Sequence, residues 1–268
     1  MNKKEIARRN AVLQRRYELN YFPKVKKALD GTISSLIAVI ESGGLDAGSK
    51  YLSEKTDTGT LPDVVEDLYL KVGLRFARMQ HSEFLRQKRQ SKGFGFNEVW
   101  IEFIKNYLYR FLLDKITYEV GDYTRRVLLK TLETAYNEGW GVDETVRALK
   151  ELPLSRTQAA RIVRTETTRA SNTGTMAAGS TFEFEQQKEW IAAMDMRTRG
   201  TDPEDHANHR KLDGTVIDYD AAFIDPRNGD KLMFPGDPKA SAASTINCRC
   251  TIAITAKRDE NGRLIPKR

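Results

Sequence analysis

Both cysteines of this 268-residue chain, Cys248 and Cys250, sit two residues apart, and two of its three histidines, His206 and His209, sit three apart. All four fall in one stretch of about seventy residues. In an extended segment, residues i and i+2 face the same way, so Cys248 and Cys250 present both sulfurs on one face and Arg249 on the other. His206 and His209 converge if they lie on one turn of helix. Two thiolates and two imidazoles complete a tetrahedral structural zinc site. Cys-x-Cys is tighter than the usual finger spacing, so a packed, metal-free cluster stands beside the metal reading. Zinc catalysis is the third reading, and it needs an open coordination position and a general base. Asp195, Asp205 and Asp213 are the acids within reach of that role. No Ser/His/Asp spacing, phosphate-cradling glycine loop or paired catalytic carboxylate stands out.

The elements that must position these residues read as a helical region followed by a smaller mixed one. The expected fold class is α+β: a mainly α-helical N-terminal region over 1–180, then a small α+β module with short strands over 181–268. Leu61-Pro62-Asp63 opens a helix whose Val65, Leu68, Val72, Phe76 and Met79 make one stripe. A glycine-phenylalanine step at 93–96 is expected to end it. Asn97 to about Glu138 reads as a second long helix with a wide face of Trp100, Phe103, Ile104, Tyr107, Leu108, Phe111 and Leu112. A short helix follows from Val142. Ser155 is expected to cap another, running to about Gly179. On that helix Glu166 and Arg169, three apart, form either a solvated ion pair or a fixed polar contact to the C-terminal module. Beyond Phe184, Glu189–Ala193 and Arg249–Ala256 read as strands.

The charge is +7 with pI near 9.3, which is compatible with an anionic partner. Residues 1–30 carry much of it. Arg8, Arg9, Arg15, Arg16, Lys26 and Lys27 are the candidates for contact with DNA phosphates, the alternative being a solvated helix face. Ile6, Val12, Leu13 and Tyr17 give that segment a loose stripe that Pro23 is expected to interrupt, and Gly43-Gly44 to end a helix over 32–41. No run approaches a membrane span, no apolar core of a secretory leader is expected at the N-terminus, and two cysteines make no disulfide framework.

The ordered motifs of the C-terminal stretch resemble one family. Trp190, then Asp195-Met-Arg197-Thr-Arg199, then His209-Arg-Lys-Leu-Asp213-Gly214, then Phe234-Pro-Gly-Asp-Pro238 and Asn247-Cys-Arg-Cys250, are similar to the Mu F-type minor head proteins of tailed phages. Arg164-Thr165-Glu166, with Asn172 and Gly174, resemble the helix before the module in that family. The resemblance covers roughly 155–256. It implies a structural, non-enzymatic minor capsid protein of head morphogenesis, located in the phage head after assembly in host cytoplasm. The implied partners are the portal protein, the major capsid or scaffold and packaged double-stranded DNA, with no membrane. Some members have Cys-x-x-Cys directly before the Leu-Asp-Gly step, where this chain has His206-x-x-His209. The readings from other classes are a zinc-dependent hydrolase or nuclease and a simple DNA-binding module.

Overall fold

In the computed structural model the chain is described over residues 3–54, 59–88 and 96–267. Six helices come first: α1 Lys3–Glu54, α2 Leu61–Gln87, α3 Asn97–Phe111, α4 Leu113–Glu138, α5 Val142–Glu151 and α6 Leu154–Ser180. The module follows with β1 Gln186–Ile191, α7 His209–Leu212, β2 Val216–Asp218, β3 Phe223–Ile224, β4 Lys231–Leu232, α8 Ala242–Thr245 and β5 Thr251–Ala256. This is the expected α+β class. The expected glycine-phenylalanine break at 93–95 lies outside the described residues.

Helix α6 is the axis of the molecule. From Thr165 to Gly179 every side chain is buried, so the helix needs partners on all sides. α2 and α1 cover two of them, and the module covers another. The crossing with α2 is set by two glycines. A Cβ on Gly174 would stand 2.0 Å from the carbonyl oxygen of Gly73, and one on Gly73 would stand 2.7 Å from Ile104. Hydrogen at Gly174 lets the two backbones meet, whereas a Cβ at Gly73 would press on the side chain of Ile104 in α3. Ser155 is buried inside the first turn of α6, and Pro153 occupies the cap position with no side-chain bond, which corrects the expected Ser155 cap.

α1 corrects the picture of a projecting basic arm. Its inward face is Asn10, Gln14, Glu18, Tyr21, Val25 and Leu29, at spacings of three and four. Val12, on the stripe expected from the sequence, is 63% exposed. The polar part of the inward face is satisfied across the interface. Asn10 Nδ2 donates to Thr251 Oγ1 at 3.0 Å, and Gln14 Nε2 donates to Ser171 Oγ at 2.8 Å. Tertiary hydrogen bonds replace apolar burial there, so hydropathy alone misreads the face. The helix also passes through Pro23 unbroken, since packing of Tyr21 and Val25 on either side outweighs one lost backbone bond. It breaks at Gly44, whose φ of 78° and ψ of −175° are non-helical.

The expected long helix from Asn97 is two, α3 and α4, parted at Leu112. Of its wide aromatic face, Trp100, Ile104, Leu108 and Leu112 are buried while Phe111 is exposed. Gly139, in the left-handed region at φ 70°, ends α4.

In the module, β1 is the central strand of an antiparallel sheet ordered β2–β1–β5, with Trp190 opposite Ile252 and Lys188 between Ile217 and Ile254. β3 and β4 form a separate two-stranded ribbon. The apolar core is continuous from Tyr21 and Tyr69 through Ala170 and Ala177 to Trp190, Cys250 and Ile254, so it runs across the expected boundary at residue 180. A second cluster, including Ile40, Leu128, Leu132 and Leu149, closes the far end of the helices. No helix among the described residues is long and apolar enough to cross a membrane.

Candidate metal centre

The cysteine loop is held from one face of α6. Thr165 Oγ1 accepts from the Asn247 amide at 2.9 Å, and Thr168 Oγ1 donates to the Cys248 carbonyl at 2.7 Å. Asn172 Nδ2 donates to the carbonyls of Cys250 at 3.2 Å and Pro235 at 2.9 Å. Spacings of three and four place these side chains in one row. Arg164 adds a bond from its guanidinium to Asn247 Oδ1 at 3.3 Å, steadying a residue whose φ of 59° is left-handed.

The Glu166–Arg169 pair is the fixed contact, not the solvated one. Both are 4% exposed, and the guanidinium donates to Glu166 Oε1 at 2.8 Å. Tyr69 donates to the other carboxylate oxygen at 2.7 Å, and Arg169 Nε donates to the Gly236 carbonyl at 2.9 Å. Burial pushes the Glu166 carboxyl up, with Arg169 and Tyr69 opposing.

His209 opens α7, a single turn capped by Asn208, whose Oδ1 accepts from the Lys211 amide at 3.1 Å. The imidazole sits edge-on to Trp190, with ring centroids 5.1 Å apart. Its Nδ1 lies 3.6 Å from Cys248 Sγ and 3.7 Å from Cys250 Sγ. The three donor atoms all lie within 4.8 Å of one another, and all three residues are buried. Arg249 turns the opposite way and reaches Asp195 Oδ1 at 2.8 Å. The bond from Cys250 to Cys248 holds Cys248 well below the ordinary thiol range against the opposing effect of burial. That same bond, with burial, pushes Cys250 well up. On the far side of the ring, His209 Nε2 faces Asp225 Oδ2 at 4.0 Å and has no hydrogen-bond partner. Asp225 is itself fixed, accepting from the amides of Asn208 at 2.8 Å and Arg227 at 2.9 Å.

This donor set fits a soft divalent ion. A tetrahedral zinc at ~2.3 Å from sulfur and ~2.0–2.1 Å from nitrogen sets sulfur–nitrogen edges of about 3.5 Å. The distances in place are 3.6 and 3.7 Å. His206 does not join them, which corrects the expected four-residue set. α7 begins only at His209, so the two histidines share no helical turn. His206 is exposed on the preceding loop, where Asp205 Oδ2 accepts from the amides of Gly200 and Asp202.

The remaining motif residues are architectural. Trp190 is fully buried. Asp195 Oδ1 accepts from the Arg197 amide, and Arg199 donates to the Ile246 carbonyl. Asp213 accepts from the Ala192 amide at 2.9 Å and from Lys3 at 2.8 Å, and Gly214, at φ 81°, donates to the Trp190 carbonyl at 2.8 Å. Sequence reasoning missed Asp225, which no local pattern marks. Thr165 and Asn172 entered only through the family resemblance, and Thr168 was missed, although the three-and-four spacing of these short polar residues is a signal of one row.

A cleft of about 850 Å³ lies between α1 and the module, with Arg8, Arg15, Arg164, Arg197 and Arg249 around it and Glu18 and Asp195 as its acids. Of the basic candidates in α1, only Arg8 and Arg15 line it. Arg9 is half-buried on another side, Lys26 is paired with Asp30 at 2.5 Å, and Arg16 and Lys27 are exposed.

Together these features define a helical scaffold carrying a small α+β module folded around a buried Cys/His cluster. Residues 126–253 match the family described as Phage Mu protein F like protein, the family that the motifs resemble. A stretch of 131 residues is 29% identical to the uncharacterized protein YqbB of Bacillus subtilis, covering 48% of this chain and 41% of that one. A stretch of 113 residues is 35% identical to the minor head protein GP7 of Bacillus phage SPP1, covering 40% of this chain and 32% of that one. The chain thus spans less than half the length of these relatives. No solved structure matches.

Proposed function

We propose that this chain is a structural, non-enzymatic component of a tailed-phage head that acts in head morphogenesis and docks at the portal. The observation that carries the reading is the Mu F-type segment, shared in part with a protein named as a minor head protein. The site geometry agrees with it: the motif residues lock helices, loops and strands to one another, and the Cys/His cluster is buried where a macromolecular substrate does not reach. Portal protein and this chain, co-expressed, are expected to co-purify. Deleting the gene is expected to give defective heads, the chain otherwise residing in the head beside the major capsid or scaffold. Normal heads and full infectivity from the deletion overturn the reading.

A second partner follows from the arginine cleft. Its five guanidiniums against two acids suit the phosphates of packaged duplex DNA, with binding insensitive to sequence and falling steeply with salt. Replacing Arg8 and Arg15 by Glu is expected to remove a low-salt mobility shift; an unchanged shift removes the cleft from the account.

A further inference from the structure

We propose that His209 Nδ1, Cys248 Sγ and Cys250 Sγ bind one zinc ion, with Asp225 fixing the imidazole from behind. The inference stands apart from the phage-head reading. Three observations carry it. The three donor atoms already lie within 4.8 Å of one another, with sulfur–nitrogen distances of 3.6 and 3.7 Å close to the edge lengths of a zinc tetrahedron. Two sulfurs and one imidazole are the donors that select zinc over the oxygen-seeking Mg²⁺ and Ca²⁺. Finally, His209 Nε2 is buried with no hydrogen-bond partner among the described residues, an arrangement that costs free energy unless the ring's protonation and position are fixed by something else.

A metal on Nδ1 resolves that last point. It forces the imidazole proton onto Nε2, which faces Asp225 Oδ2 across 4.0 Å, a gap that the ring and the carboxylate close on binding for the hydrogen bond to form. A metal-bound histidine commonly donates its other N–H to a carboxylate in this way. Asp225 is held for that role by two backbone amides and is 1% exposed. Both sulfurs bind as thiolates, any proton they still carry leaving to solvent as the two Zn–S bonds form, so one divalent charge meets two thiolates.

The ion joins segments that the chain brings in separately. His209 comes from α7, Cys248 and Cys250 come from the loop gripped by α6, and Asp225 follows β3. The protein supplies three ligands, and the fourth position falls to a non-protein ligand, because His206 stands exposed on its own loop. All three donors are at most 2% exposed, so the ion crosslinks these segments from within the interior.

The test uses the full chain purified without an affinity tag or chelator. Elemental analysis is expected to give one zinc per chain, and Co²⁺ exchanged for it is expected to show thiolate-to-metal charge-transfer absorption. His206→Ala is expected to keep full stoichiometry. Asp225→Asn is expected to keep the site but weaken it about 10- to 100-fold in competition with a chromogenic chelator. The Cys248→Ser/Cys250→Ser chain is expected to hold no zinc. Should that variant fail to fold, thiol labelling of the wild type decides: both cysteines are expected to be protected with zinc and to react after chelation. Metal-free wild type that takes up neither Zn²⁺ nor Co²⁺ overturns the proposal. Loss of zinc from His206→Ala overturns the three-ligand assignment, and affinity unchanged in Asp225→Asn overturns the role of the carboxylate.

Discussion

Replacing Arg169 by Met tests whether the buried ion pair is what locks α6 to the module. The methionine keeps most of the apolar volume and removes the charge together with the hydrogen bonds to Glu166 and the Gly236 carbonyl. Glu166 would keep only the Tyr69 hydroxyl at 2.7 Å, and the Gly236 carbonyl would lose its donor at 2.9 Å. Removing one member of a buried pair costs about 3–5 kcal/mol, and an orphaned buried carbonyl about 1–3 kcal/mol, with the two not additive. A loss of about 4 kcal/mol at pH 7 is therefore expected. The sign of its pH dependence follows from Glu166. Its folded pKa lies above the ordinary 4.5, so the native state binds more protons than the unfolded one as pH rises through that window, and stability falls. Without Arg169 the folded pKa rises further and the fall steepens. The difference between variant and wild type should hence shrink toward about 1–2 kcal/mol near pH 4–5, leaving the carbonyl and packing losses. Urea unfolding followed by far-UV circular dichroism at pH 5 and pH 8 measures both, and Glu166→Gln added to Arg169→Met is expected to recover part of the loss at pH 8. A loss below about 1 kcal/mol that ignores pH is the behaviour of an exposed pair and refutes the reasoning.

Gly174→Ala places a methyl 2.0 Å from the Gly73 carbonyl oxygen, and a destabilisation of about 3 kcal/mol in urea unfolding is expected; a neutral effect would mean that the helices do not meet there. Asn172→Ala leaves two buried carbonyls unpaired, at about 1–3 kcal/mol each, and should raise hydrogen exchange in 247–251 while sparing α5. Lys188 is fully buried, its amine beside the rings of Phe223 and Tyr219 and without a hydrogen bond among the described residues, and burial pulls its pKa from 10.5 down to about 8. Between those values the unfolded state binds more protons, so stability should rise with pH across about 8 to 10.5, by on the order of 3 kcal/mol, and Lys188→Met should abolish the rise. Residues 126–268 expressed alone are expected to lack cooperative thermal unfolding, because the α2-facing side of α6 would be bare.

Periodic apolar residues made much of the helical region readable. Val65, Leu68, Val72 and Phe76 lie on one buried stripe, and Gly44 and Gly139 mark real breaks because both need a positive φ. What failed to read was polar burial. Asn10 and Gln14 look like surface residues of a basic arm, yet each is buried through one partner more than 150 positions away in the chain. The cysteine pair was legible because i and i+2 in an extended segment share a face, and Arg249 does point away. The histidine pair was not, since its convergence depended on where α7 begins, and that is fixed by the Asn208 cap and its contact with Asp225. A helix boundary shifted by three residues decides whether one or two histidines meet the sulfurs.

The Mu F-type segment starts within α4, at residue 126, and ends within β5, at residue 253, so α1 and α2 lie wholly outside it. Those two helices nonetheless complete its interior. α1 supplies the partners of Thr251 and Ser171, and α2 supplies Tyr69 to Glu166, Gly73 to Gly174 and Gln80 to the Ile254 carbonyl. The demands on the flanking helices are local and few: a small residue at one crossing, a donor toward one carboxylate, and amide side chains at two or three positions. Many helical sequences meet such demands, whereas the loop held by Thr165, Thr168 and Asn172 admits few substitutes because each bond fixes a particular backbone atom. On this account the segment that keeps its motifs is the one whose side chains bond to its own backbone. The demands on the helices that cover it are met so long as they remain helical and leave the backbone at Gly73 open to Gly174.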